Sequence, residues 1–139
     1  EYSDIARLEC IAGHCRQRPV ICCRFRQSEL ACLLARCDAV ISNDTGPLHL
    51  AAAVGTPTVG LFGPESPQRY GQRSPRHHTI YKAAPCSPCI QIHRGVAPEC
   101  PQKRPQCMEA INVEEVFACT MSLLDQTQLP TDRDTGPPC

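Results

Sequence analysis

The sequence predicts an α/β fold built on a parallel sheet, and three observations carry the prediction. Short apolar runs flanked by turn residues alternate with segments of helical periodicity, the pattern of strand–helix–strand units. One run, TVGLF at 58–62, is apolar at nearly every position, as a strand covered on both faces must be. Between residues 43 and 62 the chain reads as a loop, a short helix and then that strand. Parallel neighbours need such a crossover, and it is right-handed.

The elements follow in order. Residues 3–13 read as a helix, with Ile5 and Leu8 at helical spacing. The chain opens inside this pattern without a Met, so we expect a fragment of a longer protein. Residues 19–23 read as a short strand. Residues 28–37 read as a helix with Ser28 as N-cap and an apolar face of Leu30, Leu33, Leu34 and Cys37. A strand is expected at 39–42. Asn43, Asp44 and Thr45 are all good N-cap types, and Pro47 suits the first helical position, where its missing N–H costs nothing. Gly55 supplies a left-handed stop after Val54, and Pro57 bars continuation. After the strand at 58–62 come a loop at 63–77, a short strand at 78–82, a cysteine-bearing loop at 84–108 and a final helix at 112–124. The tail 126–139 has no periodicity and is expected to be disordered. Residues 1–125 thus form one partial α/β domain.

Composition narrows the function. The 139 residues carry 14 Lys and Arg against 14 Asp and Glu, so zero formal net charge gives no electrostatic case for nucleic acid. No apolar stretch approaches the ~20 residues of a membrane span, and EYSDIARLE lacks a signal-peptide pattern. The 14 prolines, about twice ordinary usage, concentrate after Phe62 and predict a loop-rich second half.

The chemistry centres on the loop at 43–49. A small-residue loop opening a helix leaves unpaired N–H groups and the positive dipole end facing outward, which suits an anion. Thr45 and Gly46 present amides to a diphosphate, the Thr45 hydroxyl adds a donor, and Gly46 permits close approach. His49 either donates to a phosphate oxygen or steadies a leaving group. The rival reading is a well-capped helix in which Asp44 caps, Gly46 turns and His49 packs. Arg69 and Tyr70 are read as rim or solvated residues, and His77 and His78 as surface. DTGP recurs at 134–137, but no helix follows that copy, so it is given no function.

The pattern Asp44-Thr45-Gly46-Pro47-x-His49-x-Ala51-Ala-Ala53-x-Gly55-x-Pro57, then Leu61-Phe62-Gly63-Pro64, resembles the donor-binding signature of glycosyltransferase family nine, the bacterial heptosyltransferases of lipopolysaccharide assembly. Looser likeness upstream and a downstream cysteine segment extend it over 28–116. The resemblance implies the carboxy-terminal, Rossmann-like half of a two-domain GT-B enzyme. It implies an inverting transfer, without catalytic metal, of a heptose or related sugar from an ADP-linked donor to a lipid-anchored core oligosaccharide. It assigns Asp44 to the donor's sugar hydroxyls and, with Thr45, Gly46, Pro47 and His49, makes the donor site. The general base is expected in the missing amino-terminal domain. A cytoplasmic location, peripheral at the inner membrane, follows from the same likeness. CCRFRQ, at 22–27, departs from the small, glycine-containing turn usual there.

Twelve cysteines complete the inventory. Cys10, Cys15, Cys22, Cys23, Cys32, Cys37 and Cys119 fall in expected regular elements or the turns between them, where a thiol serves as a small apolar group. Cys86, Cys89, Cys100 and Cys107 share a proline-rich loop opened by a CxxC. That spacing admits a structural tetrahedral zinc, two disulfides or free thiols, and the x6 gap before Cys107 is longer than zinc pairs usually use. Two other classes stay open: a non-catalytic nucleotide-sugar or phosphate-binding module, and a cysteine-clustered structural domain.

Overall fold

The computed structural model describes residues 2–100, 102 and 104–127. The elements in order are α1 (Tyr2–Gly13), α2 (Gln27–Ala35), β1 (Val40–Asn43), α3 (Gly46–Ala53), β2 (Thr58–Phe62), α4 (Pro67–Tyr70), β3 (His77–Tyr81), a 3-10 turn (Ile92–Arg94), α5 (Gln106–Glu109) and α6 (Val113–Thr127). The three strands form one parallel sheet in the order β1-β2-β3, with Val40 opposite Thr58 and Thr58 opposite His77.

β2 is the centre, as its unbroken apolar run requires, and every residue but Leu61 is buried. Its two faces meet different helices. Val59 joins Ile80 and Leu123 of α6 in one core, with Leu61, Ile111, Val116 and Cys119 packed around them. On the other face Gly60 accepts the α3 side chain Leu48 so closely that an added Cβ would lie 2.9 Å from Leu48 Cδ2 and 2.9 Å from Phe62 Cε2. Leu48, Phe62 and Val59 are almost wholly buried.

α3 stops as its sequence dictates. Gly55 takes φ +82°, the Thr56 amide bonds to the Ala51 carbonyl at 3.0 Å, and the Gly55 amide bonds to the Ala52 carbonyl at 3.1 Å. This pair is the Schellman arrangement. Thr56, itself buried, donates its hydroxyl to the Leu34 carbonyl at 2.8 Å, beside the Cys37 amide that the same carbonyl accepts at 3.0 Å, and so ties the end of α3 to the end of α2.

Several sequence expectations shift. α2 begins at Gln27 rather than after Ser28, because Glu29 accepts the Arg26 amide at 2.8 Å and closes the first turn. That amide, and then the Arg26 guanidinium, hold the Glu29 carboxyl below its ordinary value. Leu34 is the buried residue of α2, while Leu33 is 37% exposed. Residues 19–23 form no strand; Val20 is 87% exposed, and β1 pairs only with β2. The segment 63–77 contains the one-turn helix α4, and β3 starts one residue early, at His77. Asn112 accepts the Glu115 amide at 2.7 Å, so α6 starts at Val113. α6 runs to Thr127, which takes Gln126 and Thr127 out of the expected tail. Residues 128–139, with the second DTGP, lie outside the described residues. Cys10, Cys15, Cys22, Cys23 and Cys32 are exposed rather than packed among the described residues.

Candidate functional site

β1 ends at Asn43, and the ladder continues one step further, with the Asp44 amide on the Leu61 carbonyl at 3.1 Å. The chain then turns into α3 beyond the carboxyl end of the sheet, where ligands of parallel α/β sheets bind. Thr45 is the N-cap residue, but its hydroxyl donates to the Asn43 carbonyl at 3.2 Å and lies 3.3 Å from the Ser42 hydroxyl, not on the first helical turn. Gly46 is therefore the first helical residue and Pro47 the second, one place later than the sequence suggests. The Gly46 amide has no hydrogen-bond acceptor among the described residues. The position an added Cβ would take at Gly46 has no neighbour within 4 Å, so open space lies beside that amide.

Asp44 and His49 face each other across this turn, Oδ1 to Nε2 at 3.0 Å, with the His49 side chain 38% and the Asp44 side chain 16% exposed. Gln72 reaches back from beyond α4, placing its amide nitrogen 3.2 Å from His49 Nδ1. An amide nitrogen only donates, so Nδ1 accepts and Nε2 carries the proton that it donates to Asp44. Tyr70 closes the other side, edge-on to the His49 ring at 6.4 Å between centroids. Both His49 nitrogens are thus engaged. His49 steers the Asp44 carboxylate, and the second Asp44 oxygen has no partner among the described residues.

The structure therefore brings Asp44, Thr45, Gly46, Pro47 and His49 together at one turn. Gln72 was not legible in the sequence; it is a polar residue in a loop, 23 positions from its partner, with no motif around it. His77 is not a plain surface residue. Its Nδ1 lies 3.0 Å from the Thr58 hydroxyl, and burial, aided by neighbouring Arg76, depresses its pKa from 6.5.

A second polar feature lies beyond the ends of β2 and β3. It is an open cavity of about 820 Å³ whose lining includes Glu65, Gln68, Arg69, Gln91, His93 and Arg94. Of these, the sequence reading singled out Arg69 alone.

The cysteine loop wraps the same end of the sheet. The Cys89 amide bonds to the Pro64 carbonyl at 2.9 Å, the Ser87 hydroxyl donates to the Gly63 carbonyl, and Cys107 Sγ lies 3.1 Å from where a Gly63 Cβ would stand. Burial pushes the Cys107 thiol up, and neighbouring Cys89 and Cys86 add to the rise. All eleven described cysteines are free thiols, and among the described residues no three His, Cys, Asp or Glu side chains converge as a metal site.

A parallel sheet covered by helices on both faces, carrying a polar turn with an open amide at its carboxyl edge, defines a Rossmann-like α/β ligand-binding unit. Comparison with known proteins makes this specific. Residues 1–97 match the profile of glycosyltransferase family 9 (heptosyltransferase), and the chain belongs to that family. It is 33% identical over 100 residues to lipooligosaccharide heptosyltransferase 2 of Campylobacter jejuni, covering 69% of this chain and 28% of that protein. It is 30% identical over 101 residues to lipopolysaccharide heptosyltransferase 1 of Pseudomonas aeruginosa, covering 67% and 28%. The crystal structure of a family 9 glycosyl transferase from Veillonella parvula superposes with a TM-score of 0.70 at 22% identity, over 89% of this chain and 34% of that one. The chain spans 28% to 34% of the length of these relatives.

Proposed function

We propose that this chain is the donor-binding part of a heptosyltransferase, which transfers a heptose or related sugar from an ADP-linked donor, with inversion, to a lipopolysaccharide core acceptor. The observation that carries the reading is the turn at 44–49. An amide without an acceptor among the described residues stands there, at a position where a side chain would meet no neighbour, beside a carboxylate steered by His49 and Gln72.

The chemistry follows from these groups. The Gly46 amide, at the positive end of α3, takes a diphosphate oxygen as the leaving group gathers charge. The second Asp44 oxygen accepts a hydroxyl of the transferred sugar, and His49 fixes the angle at which it does so. The general base belongs to a domain preceding this chain, and no catalytic metal is called on. No helix among the described residues is long and apolar enough to cross a membrane. We place the enzyme in the cytoplasm, peripheral at the inner membrane where a lipid-anchored acceptor is reached.

Asp44→Ala in the complete enzyme tests the assignment. Sugar transfer should fall by more than tenfold while ADP affinity changes by less than about threefold, because the carboxylate serves the sugar and not the diphosphate. Equal losses in both would place Asp44 on the nucleotide instead. Residues 1–139 alone should give no turnover, since an inverting displacement needs a base aligned with the acceptor hydroxyl.

A structural zinc at Cys86, Cys89, Cys100 and Cys107 is proposed from spacing alone; the four thiols do not converge in the structure, so metal would have to draw the 84–108 loop together. About one zinc per chain in protein purified without added metal, with four thiols shielded, supports it. Metal-free protein with all thiols titratable ends it.

A further inference from the structure

We propose that Gln72 is a positioning residue of the transfer step, acting on Asp44 through His49 and setting turnover rather than nucleotide binding. The chain of contacts has two bonds, Gln72 Nε2 to His49 Nδ1 at 3.2 Å and His49 Nε2 to Asp44 Oδ1 at 3.0 Å. Gln72 is half-buried, and among the described residues its side chain bonds to His49 alone, not to Thr45 or Gly46. Its influence on the site therefore passes through the imidazole ring. The effect on transfer rests on the donor-site reading above, whereas the state of the ring stands on the geometry alone.

The partner at Nδ1 decides the charge of that ring. With the Gln72 amide donating there, Nδ1 carries no proton, and the ring is the uncharged form protonated at Nε2. The opposite amide rotamer, with Oε1 on Nδ1, requires protons on both nitrogens and hence an imidazolium. An imidazolium would bind Asp44 as an ion pair and engage its charge. A neutral ring holds one Asp44 oxygen by a hydrogen bond and leaves the negative charge to the hydroxyl that the other oxygen accepts. The titratable groups facing the ring are Asp44, from the turn before α3, and Tyr70, from α4. Asp44 accepts from Nε2 whichever form the ring takes, so the contact that separates the two forms is the one at Nδ1.

The backbone delivers Gln72 to the ring by a tight turn. The Gly71 amide bonds to the Pro67 carbonyl at 2.7 Å and closes α4, and a Cβ at Gly71 would collide with that same carbonyl oxygen. On the other side, the Arg73 guanidinium donates to the Gln68 carbonyl at 3.1 Å. Both neighbours of Gln72 are thus tied back to the single turn that also carries Tyr70. Gln72 lies 23 positions after His49, so the contact joins α4 to the start of α3 across the sheet edge.

The test combines nitrogen NMR of the histidine-labelled complete enzyme with kinetics of two Gln72 variants. At about pH 8 the wild-type His49 signals, assigned by their loss in His49→Gln, should show Nδ1 bare and Nε2 protonated. Gln72→Glu keeps the shape but replaces the donor by an acceptor, and should put protons on both nitrogens. Gln72→Met keeps the bulk and removes the bond. With an unchanged melt it should lower kcat roughly three- to tenfold, while ADP affinity stays within about twofold. In an Asp44→Ala background Gln72→Met should cost nothing further, because the chain of contacts then ends on no carboxylate. A wild-type ring protonated at Nδ1, a Gln72→Glu ring like that of wild type, a Gln72→Met enzyme with undiminished kcat, or a loss of the same size in the Asp44→Ala background overturns the proposal. An Asp44→Ala enzyme that transfers normally marks failure of the donor-site reading, and the NMR measurement, which needs no turnover, keeps that failure distinct from this one.

Discussion

Gly46→Val separates binding from folding more cleanly than any other substitution in this chain. Gly46 has ordinary helical backbone, and a Cβ there meets nothing within 4 Å, so the fold has room for the new side chain. Stability should change by no more than about 0.5 kcal/mol, because valine also has the better helix propensity. The ligand loses that room. An isopropyl group over the open amide keeps a diphosphate oxygen from reaching it and removes one or two hydrogen bonds to a charged group. At about 1.5–3 kcal/mol each, this weakens ADP by ten- to a hundredfold or more. Calorimetric titration of ADP against wild type and variant, with thermal melts of both, makes the measurement. A variant that melts like wild type and binds ADP equally well refutes the argument, and with it the diphosphate assignment of the turn.

Gly60→Val should act by the opposite route: its side chain collides with Leu48 and Phe62, costing about 1–3 kcal/mol in urea unfolding and loosening ADP through the displaced helix. His77 should make the fold acid-sensitive. Its pKa is depressed in the folded chain, so the unfolded chain binds the proton first as pH drops through 6.5. The stabilisation is complete above that value and is lost progressively below it; His77→Gln should flatten the fall in melting temperature between about pH 7.5 and about pH 5.5. Among the loop thiols, exposed Cys86 should be alkylated well before buried Cys107, whose raised pKa demands higher pH; mass-mapped iodoacetamide labelling at several pH values orders them.

What could be read from the sequence was what local chemistry decides. Thr58 to Phe62 announced a two-face buried strand, Gly55 and Pro57 announced the end of α3, and both are placed as read. The turn at 44–49 was legible for the same reason, since amide exposure at a helix start needs only neighbouring residues. Residues 19–23 have a strand's composition, but a strand needs a hydrogen-bonding neighbour, and β1 offers them none. α2 started earlier than Ser28 suggested because Glu29 capped from inside the helix. Gln72 and the cavity escaped for a topological reason. The cavity draws Glu65 from the turn after β2, Arg69 from α4 and Arg94 from the cysteine loop, and only the folded sheet edge collects them.

The extra rung from the Asp44 amide to Leu61 gives the two walls around His49 unequal stiffness. One wall, Asp44, is a continuation of the sheet ladder and cannot shift without breaking strand pairing. The opposite wall, Tyr70 and Gln72, hangs from a four-residue helix and the turn after it, anchored by few bonds of its own. A substitution in α4 or the turn after it therefore reaches the His49 ring without disturbing the strand pairing that holds Asp44.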